Sequence, residues 1–129
     1  MRIIAKQLHV IPIKHVGGQR VSHRGNWVLL ALETDTGLIG WGEGSDSHDE
    51  DNCIALIDEF AGSFLNQEIE PSTVAANLTQ SAPPNRMPRT ARSAIIQALI
   101  ELDAKAKDIS AASYLAPGEA VLETVPVYA

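Results

Sequence analysis

Apolar residues alternate with polar or small ones in the first third of the chain, then recur at three- and four-residue steps from about residue 52 onward. The first regime predicts strands. Ile3, Ile4, Leu8, Val10, Ile11 and Ile13 are mostly β-branched and close near Pro12, which predicts a strand over 2–13 with an edge position at its proline end. From Trp27, Val28, Leu30 and Leu32 fall on one face and Trp27, Leu29 and Ala31 on the other, so a strand over 27–34 is apolar on both sides and belongs in the middle of a sheet. Asp35-Thr36-Gly37 predicts a tight reversal, with the Asp side chain bonding backbone ahead of it and Gly37 taking a positive φ. A third strand over 38–43 follows, and its Gly40 and Gly42 permit a bulge or the close approach of another backbone. Between the first two strands, His15 to Asn26 (HVGGQRVSHRGN) breaks all periodicity and is read as a loop. It is longer than the ~2–5 residues of an ordinary hairpin connection.

The second regime predicts helices. Ile54, Leu56, Ile57, Phe60, Ala61, Phe64 and Leu65 give an amphipathic helix over 52–65. Asp49, Glu50 and Asp51 lie at its start, where the helix dipole favours negative charge by ~0.3–1 kcal/mol. Pro71-Ser72 starts and caps a helix over 72–80, and SAPPNRMPR, with three prolines, is a connection. Thr90 caps a third helix over 90–107, whose stripe of Ala91, Ala94, Ile95, Ala98, Leu99 and Leu102 calls for close packing. A short helix over 110–115 is stopped by Pro117-Gly118, residues 119–124 are a linker, and 125–128 return to strand character. Strands followed by helices predict an α+β fold: a three-stranded antiparallel β-meander followed by a three- to four-helix bundle.

Composition narrows the function classes. A chain of 129 residues fits one domain, or one domain plus a short arm, and with 45% hydrophobic residues it can bury a core. Ten basic against 16 acidic residues give a net charge of -6, which argues against nucleic acid as a partner, because that binding rests on basic side chains at phosphates. No stretch approaches the ~20 apolar residues of a membrane span, and the N-terminus lacks a signal-peptide pattern. One cysteine, Cys53, leaves no internal disulfide and suits a reducing, cytoplasmic setting. There is no Gly-x-Ser-x-Gly elbow, phosphate loop, paired CxxC or His-Glu-x-x-His. Asp46, His48, Asp49, Glu50 and Asp51 cluster without the spacing of a calcium loop and are better read as a decorated helix start. Glu43, set between Gly42 and Gly44, is either a catalytic carboxylate or a structural one.

Three segments in order, WVLLALETDTGLIGWGEG at 27–44, ARSAIIQALIELDAKAKD at 91–108 and VPVYA at 125–129, resemble the N-terminal capping domain of the enolase superfamily, in its mandelate racemase and muconate-lactonizing branch. The resemblance covers essentially the whole chain. It departs from the family pattern at Tyr114-Leu115-Ala116-Pro117-Gly118, where a Leu-Leu-Gly-Gly type ending is usual. It implies that residues 1–118 are a capping domain and 119–129 a linker leading into the first strand of a (β/α)8 barrel, which needs ~250 residues. Catalytic residues and the Mg²⁺ ligands would belong to that barrel, and none to this chain. The implied reaction removes a proton α to a carboxylate, as in a racemase, cycloisomerase or dehydratase. Gly17, Gly18, Arg20, His23 and Arg24 would form a first capping loop, with the cations facing a substrate carboxylate. Asp46, Ser47 and His48 would form a second. Glu43 becomes structural near the barrel seam, Trp27 and Trp41 packing residues, and His9 an exposed or interface side chain. The partners implied are the barrel, a small carboxylate substrate and further copies in a homo-oligomer. A stand-alone binding or oligomerisation module with the same fold is the competing expectation, its bare sheet face covered by a partner.

Overall fold

The fold is that of a computed structural model, which describes residues 1–12, 15–16, 19–20, 26–45, 49–81 and 84–120. In chain order its elements are β1 (Ile3–Ile11), β2 (His15–Val16), β3 (Gln19–Arg20), β4 (Trp27–Thr34), β5 (Ile39–Glu43), α1 (Glu50–Gly62), α2 (Pro71–Gln80), α3 (Arg86–Ala106) and α4 (Ala111–Leu115). β1, β4 and β5 form an antiparallel sheet with β4 in the middle, as its two apolar faces require. Leu8 lies opposite Leu30, and Leu30 opposite Gly42, so Leu8, Val28, Leu30, Leu32, Gly40 and Gly42 share one face.

That face is covered by α1 and α3. Val28, Leu30 and Leu32 are fully buried there against Ile57 and Ala61 of α1 and Ala94, Ile95, Ala98, Leu99 and Leu102 of α3. Each large aliphatic side chain removed from water contributes ~1.5–3 kcal/mol, so this seam dominates the fold's stability. The glycines of β5 set the spacing. A Cβ at Gly40 would lie 2.2 Å from the carbonyl oxygen of Ala98, and one at Gly42 1.8 Å from that of Ala94. Helix α3 therefore rests on the backbone of β5, and its alanine stripe lets it do so.

Contact that close brings α3 side chains to the outer edge of β5. Gln97 accepts from the Glu43 N–H and donates to the Glu43 carbonyl, both at 3.2 Å. Glu101 accepts from the Trp41 N–H, and Lys105 Nζ donates to the Ile39 carbonyl at 2.6 Å. Residues at i, i+4 and i+8 on one helix thus fill hydrogen-bonding positions that a further strand would use, which closes this edge to strand addition.

The reversal after β4 has Gly37 at φ +79, as its sequence demands. The side chain that organises it is Thr34, buried, whose hydroxyl meets Thr36 Oγ1 at 2.9 Å and accepts from the Leu38 N–H at 3.1 Å. Asp35 does not bond ahead; its carboxylate accepts from the Arg2 N–H at 3.1 Å and ties the turn to the start of β1.

Several boundaries differ from the sequence reading. α3 begins at Arg86, four residues before Thr90, with Asn85 at the N-cap. Pro88 is tolerated because it falls in the first turn, where backbone N–H groups have no helical partner to lose. α2 is capped by the Glu70 carboxylate, which accepts from the Thr73 N–H at 2.7 Å, while Ser72 donates its hydroxyl to the same carboxylate. α1 spans Glu50–Gly62, earlier and shorter than 52–65. The stretch 15–26 contains a short ribbon, β2 paired with β3, rather than loop alone. A Gly-Gly pair between two short runs is a hairpin signal that its length had masked.

Candidate functional site

The two segments expected from the sequence to be capping loops leave the sheet at one end, where β1 finishes, β4 starts and β5 finishes. Their roots are tied to each other. Asn26, at the end of the first segment, donates through its backbone N–H and side-chain amide to the two oxygens of Glu50, at 2.7 and 2.8 Å. Ser45, at the start of the second, accepts from the Val28 N–H through its hydroxyl at 3.1 Å, and Gly44 donates to the Val28 carbonyl at 3.0 Å. Cys53, fully buried in α1, donates its thiol to the Gly44 carbonyl at 3.3 Å. It is a packed helix residue, held away from any reagent.

Of the sequence-predicted site residues, Gly17, Gly18, His23, Arg24, Asp46, Ser47 and His48 lie outside the described residues. Arg20 belongs to β3, of which only the backbone is described. The structure thus places the roots of both loops and not their tips. Beside the second root, Glu43, Ser45, Arg86, Arg89 and Thr90 line an open groove of ≈ 510 Å³ between the end of β5 and the start of α3. Glu43 stands at the lip of this groove with its backbone held by Gln97, so its position is fixed by α3. Among the described residues, no three His, Cys, Asp or Glu side chains come together as a metal site would need, so these residues do not fit a bound Mg²⁺.

On the sheet face away from the helices, the His9 and Trp41 rings meet at 5.3 Å with a 39° tilt. Trp27 and Trp41 are not packed in a core here: they are 57% and 42% exposed, beside exposed Ile11 and Ile39. Among the described residues the packing expected of them lacks a covering layer, because both helices that reach the sheet lie on its other side.

The Leu102-Asp103-Ala104-Lys105-Ala106 stretch divides its work. Asp103 is buried within α3 and holds Lys107 Nζ at 2.6 Å, while Lys107 lies 4.9 Å from the Tyr114 ring. A hydrogen bond from the Tyr114 hydroxyl to Asp103, with burial second, pushes the phenol's pKa up, and the same carboxylate raises that of Lys107. This knot fastens α4 to α3. Sequence reasoning missed the edge-binding line of Gln97, Glu101 and Lys105 and the Asn26–Glu50 clamp. The first had a signal in its four-residue polar spacing beside the alanine stripe; the second joins residues 24 apart and had none.

A sequence model of the mandelate racemase / muconate lactonizing enzyme N-terminal domain matches residues 2–115. The chain belongs to that family. The match runs from the residue before β1 through the last residue of α4. Among solved structures, a mandelate racemase/muconate lactonizing enzyme from Polaromonas sp. JS666 is 21% identical, with a TM-score of 0.66 over 88% of this chain and 32% of its own. An enolase from Agrobacterium radiobacter, bound to Na and L-malate, is 27% identical, with a TM-score of 0.64 over 83% of this chain and 26% of its own. A mandelate racemase/muconate lactonizing enzyme-like protein from Roseovarius sp. TM1035 is 20% identical, with a TM-score of 0.63 over 83% of this chain and 28% of its own. No curated protein matches the chain in sequence. The chain therefore spans about a quarter to a third of the solved mandelate racemase/muconate lactonizing enzyme relatives, whose remaining length has no counterpart in its 129 residues. No helix among the described residues is long and apolar enough to cross a membrane.

Proposed function

We propose that this chain is the substrate-capping and specificity domain of a Mg²⁺-dependent enolase-superfamily enzyme, a racemase, cycloisomerase or dehydratase that removes a proton α to a carboxylate. On its own it is inactive. The observation that carries the reading is the shared root of two loop segments at one end of a sheet, clamped by Asn26–Glu50 and Ser45–Val28, in a chain of this family. A clamp of that kind lets the tips change while their origin stays fixed, which is what a specificity lid requires. In this reading residues 1–118 are the cap and 119–129 lead into the barrel. Gly17, Gly18, Arg20, His23, Arg24, Asp46, Ser47 and His48 close over a small carboxylate substrate and exclude water. The arginines offer forked donors to its carboxylate. The ion belongs to the barrel, where it stabilises the charge that develops on the substrate carboxylate. The complete enzyme is a cytoplasmic homo-oligomer.

Two measurements test this. The purified chain with Mg²⁺ in D₂O should leave the α-protons of acid sugars, dipeptides and muconate-like acids unexchanged; exchange by the chain alone would contradict the proposal. Residues 13–26 and 44–50, grafted into the cap of a racemase of the family, should raise KM for that enzyme's substrate severalfold more than they lower kcat. A graft that leaves KM unchanged removes the specificity assignment.

A further inference from the structure

The sheet leaves its face, rather than its edges, for contact. The β5 edge is occupied by Gln97, Glu101 and Lys105. At the other edge the start of β1 is bonded to residues 66–67, its register shifts between Ile3 and Ala5, and Pro12 follows its end. Bulges and prolines both hinder strand addition. The face that no described residue covers carries Ile11, Trp27, Leu29, Ala31, Ile39 and Trp41 across three strands. At its centre the small Ala31 leaves a depression of ≈ 380 Å³, walled by Gln7, His9, Glu33, Ile39 and Trp41. Its free charge is Glu33, exposed and without a side-chain partner among the described residues. Lys6 also borders it, but the Lys6 ammonium is drawn to the helix side by the carbonyl and carboxylate of Asp58.

We propose that this depression is a protein-docking site that takes a cationic side chain, arginine or lysine, presented among apolar residues on a partner's surface. An indole face is the strongest aromatic acceptor for such a cation, and Trp41 is braced by His9 so that its ring stands as a wall. Glu33 supplies the countercharge, and the apolar flank excludes water from the pair once the partner is seated. A second copy docked face to face fits less well. Among the described residues, neither Ala5, Gln7, His9 and Ile11 nor Trp27, Leu29, Ala31, Ile39 and Trp41 offers a lysine or arginine, so two Glu33 carboxylates would meet there without a cation.

The test uses the 129-residue chain and three short amphipathic peptides of one leucine-rich sequence, with arginine, its neutral isostere citrulline, or glutamate at the centre. The arginine peptide should bind saturably and shift the amide signals of Gln7, His9, Ala31, Ile39 and Trp41, with citrulline and glutamate at least tenfold weaker. Glu33→Gln should weaken binding at least fivefold, and Glu59→Gln, which removes an exposed charge from α1, should leave it unchanged. Equal binding of the arginine and citrulline peptides, equal effects of the two substitutions, or shifts centred elsewhere would overturn the proposal. So would self-association in sedimentation that Trp41→Ser abolishes, which would assign the face to a second copy. Should Glu33→Gln fail to fold, the arginine–citrulline comparison on the wild-type chain decides.

Discussion

Gly42→Ala is the smallest change that tests how the sheet and α3 are joined. The added methyl would lie 1.8 Å from the Ala94 carbonyl oxygen and 2.7 Å from its carbon, both backbone atoms that no rotamer change can move. Helix and strand must separate by more than an ångström. Overpacking of this kind costs ~1–3 kcal/mol. Separation also stretches the bonds from Gln97, Glu101 and Lys105 to the β5 backbone, which are exposed and worth ~0.5 kcal/mol each at the lower end of the usual range. Together the loss is about 3–5 kcal/mol, a large part of the ~5–15 kcal/mol that holds a typical domain folded. Urea unfolding followed by far-UV circular dichroism should show a lower midpoint with an unchanged slope. Gly37→Ala is the control: its φ of +79 strains an alanine by ~1–2 kcal/mol, but nothing lies within 4 Å of the new methyl. If Gly42→Ala costs no more than Gly37→Ala, α3 is not seated on the strand backbone and the account of the fold is wrong.

Two further predictions concern charge. Asp103→Asn should destabilise the chain by ~1–3 kcal/mol, since it weakens the bonds to Lys107 and Tyr114 at a buried position. Because the Tyr114 pKa is raised in the folded state, its contribution is complete below pH 10 and is lost as pH rises through the folded value; absorbance titration at 295 nm should show the midpoint falling toward 10 in the variant, and an unmoved midpoint would refute the link. Glu70 has its pKa lowered from 4.5 to about 2, first by the Ser72 hydroxyl and then by Thr73. A lowered carboxylate pKa means the cap's contribution is complete above pH 4.5 and lost as pH falls toward 2. Protection of the Thr73 amide, taken against its intrinsic exchange rate at each pH, should fall across that window and show no such fall in Glu70→Gln.

The sheet and the helices were legible because period and punctuation agreed. Val28, Leu30 and Leu32 alternated, Gly37 marked the turn, and Gly40 and Gly42 announced a close approach that Ala94 and Ala98 were small enough to accept. The errors fell at helix starts. Caps compete over a few residues, and the winner is set by backbone direction rather than residue type: Thr90 and Ser72 are good caps by type, yet Asn85 and Glu70 stand where the chain turns in. The loop roots were not legible, because Asn26 and Glu50 meet only after β4 and β5 have formed. Arg20, His23, Arg24, Asp46 and His48, proposed above for recognition, fall in stretches of sequence with no hydrophobic period, so alternation could say nothing of where they stand.

The same comparison explains why Trp27 and Trp41 were misplaced. Alternation identifies which residues share a face but is silent on whether that face is covered within the chain. Val28 and Leu30 are buried because α1 and α3 lie over them; Trp27 and Trp41 stand one residue out of phase and have no layer above them among the described residues. An ordinary solvent-facing strand would carry polar residues at those positions. Here both rings are retained, and Trp41 shares a depression with Glu33, a carboxylate without a side-chain partner among the described residues. Aromatic exposure of that extent on a well-ordered strand is costly for a free domain, and it is most simply offset by burial against a partner. The fold therefore separates two features in space: the clamped roots of the two segments stand at one end of the sheet, and the exposed aromatic face stands beside them.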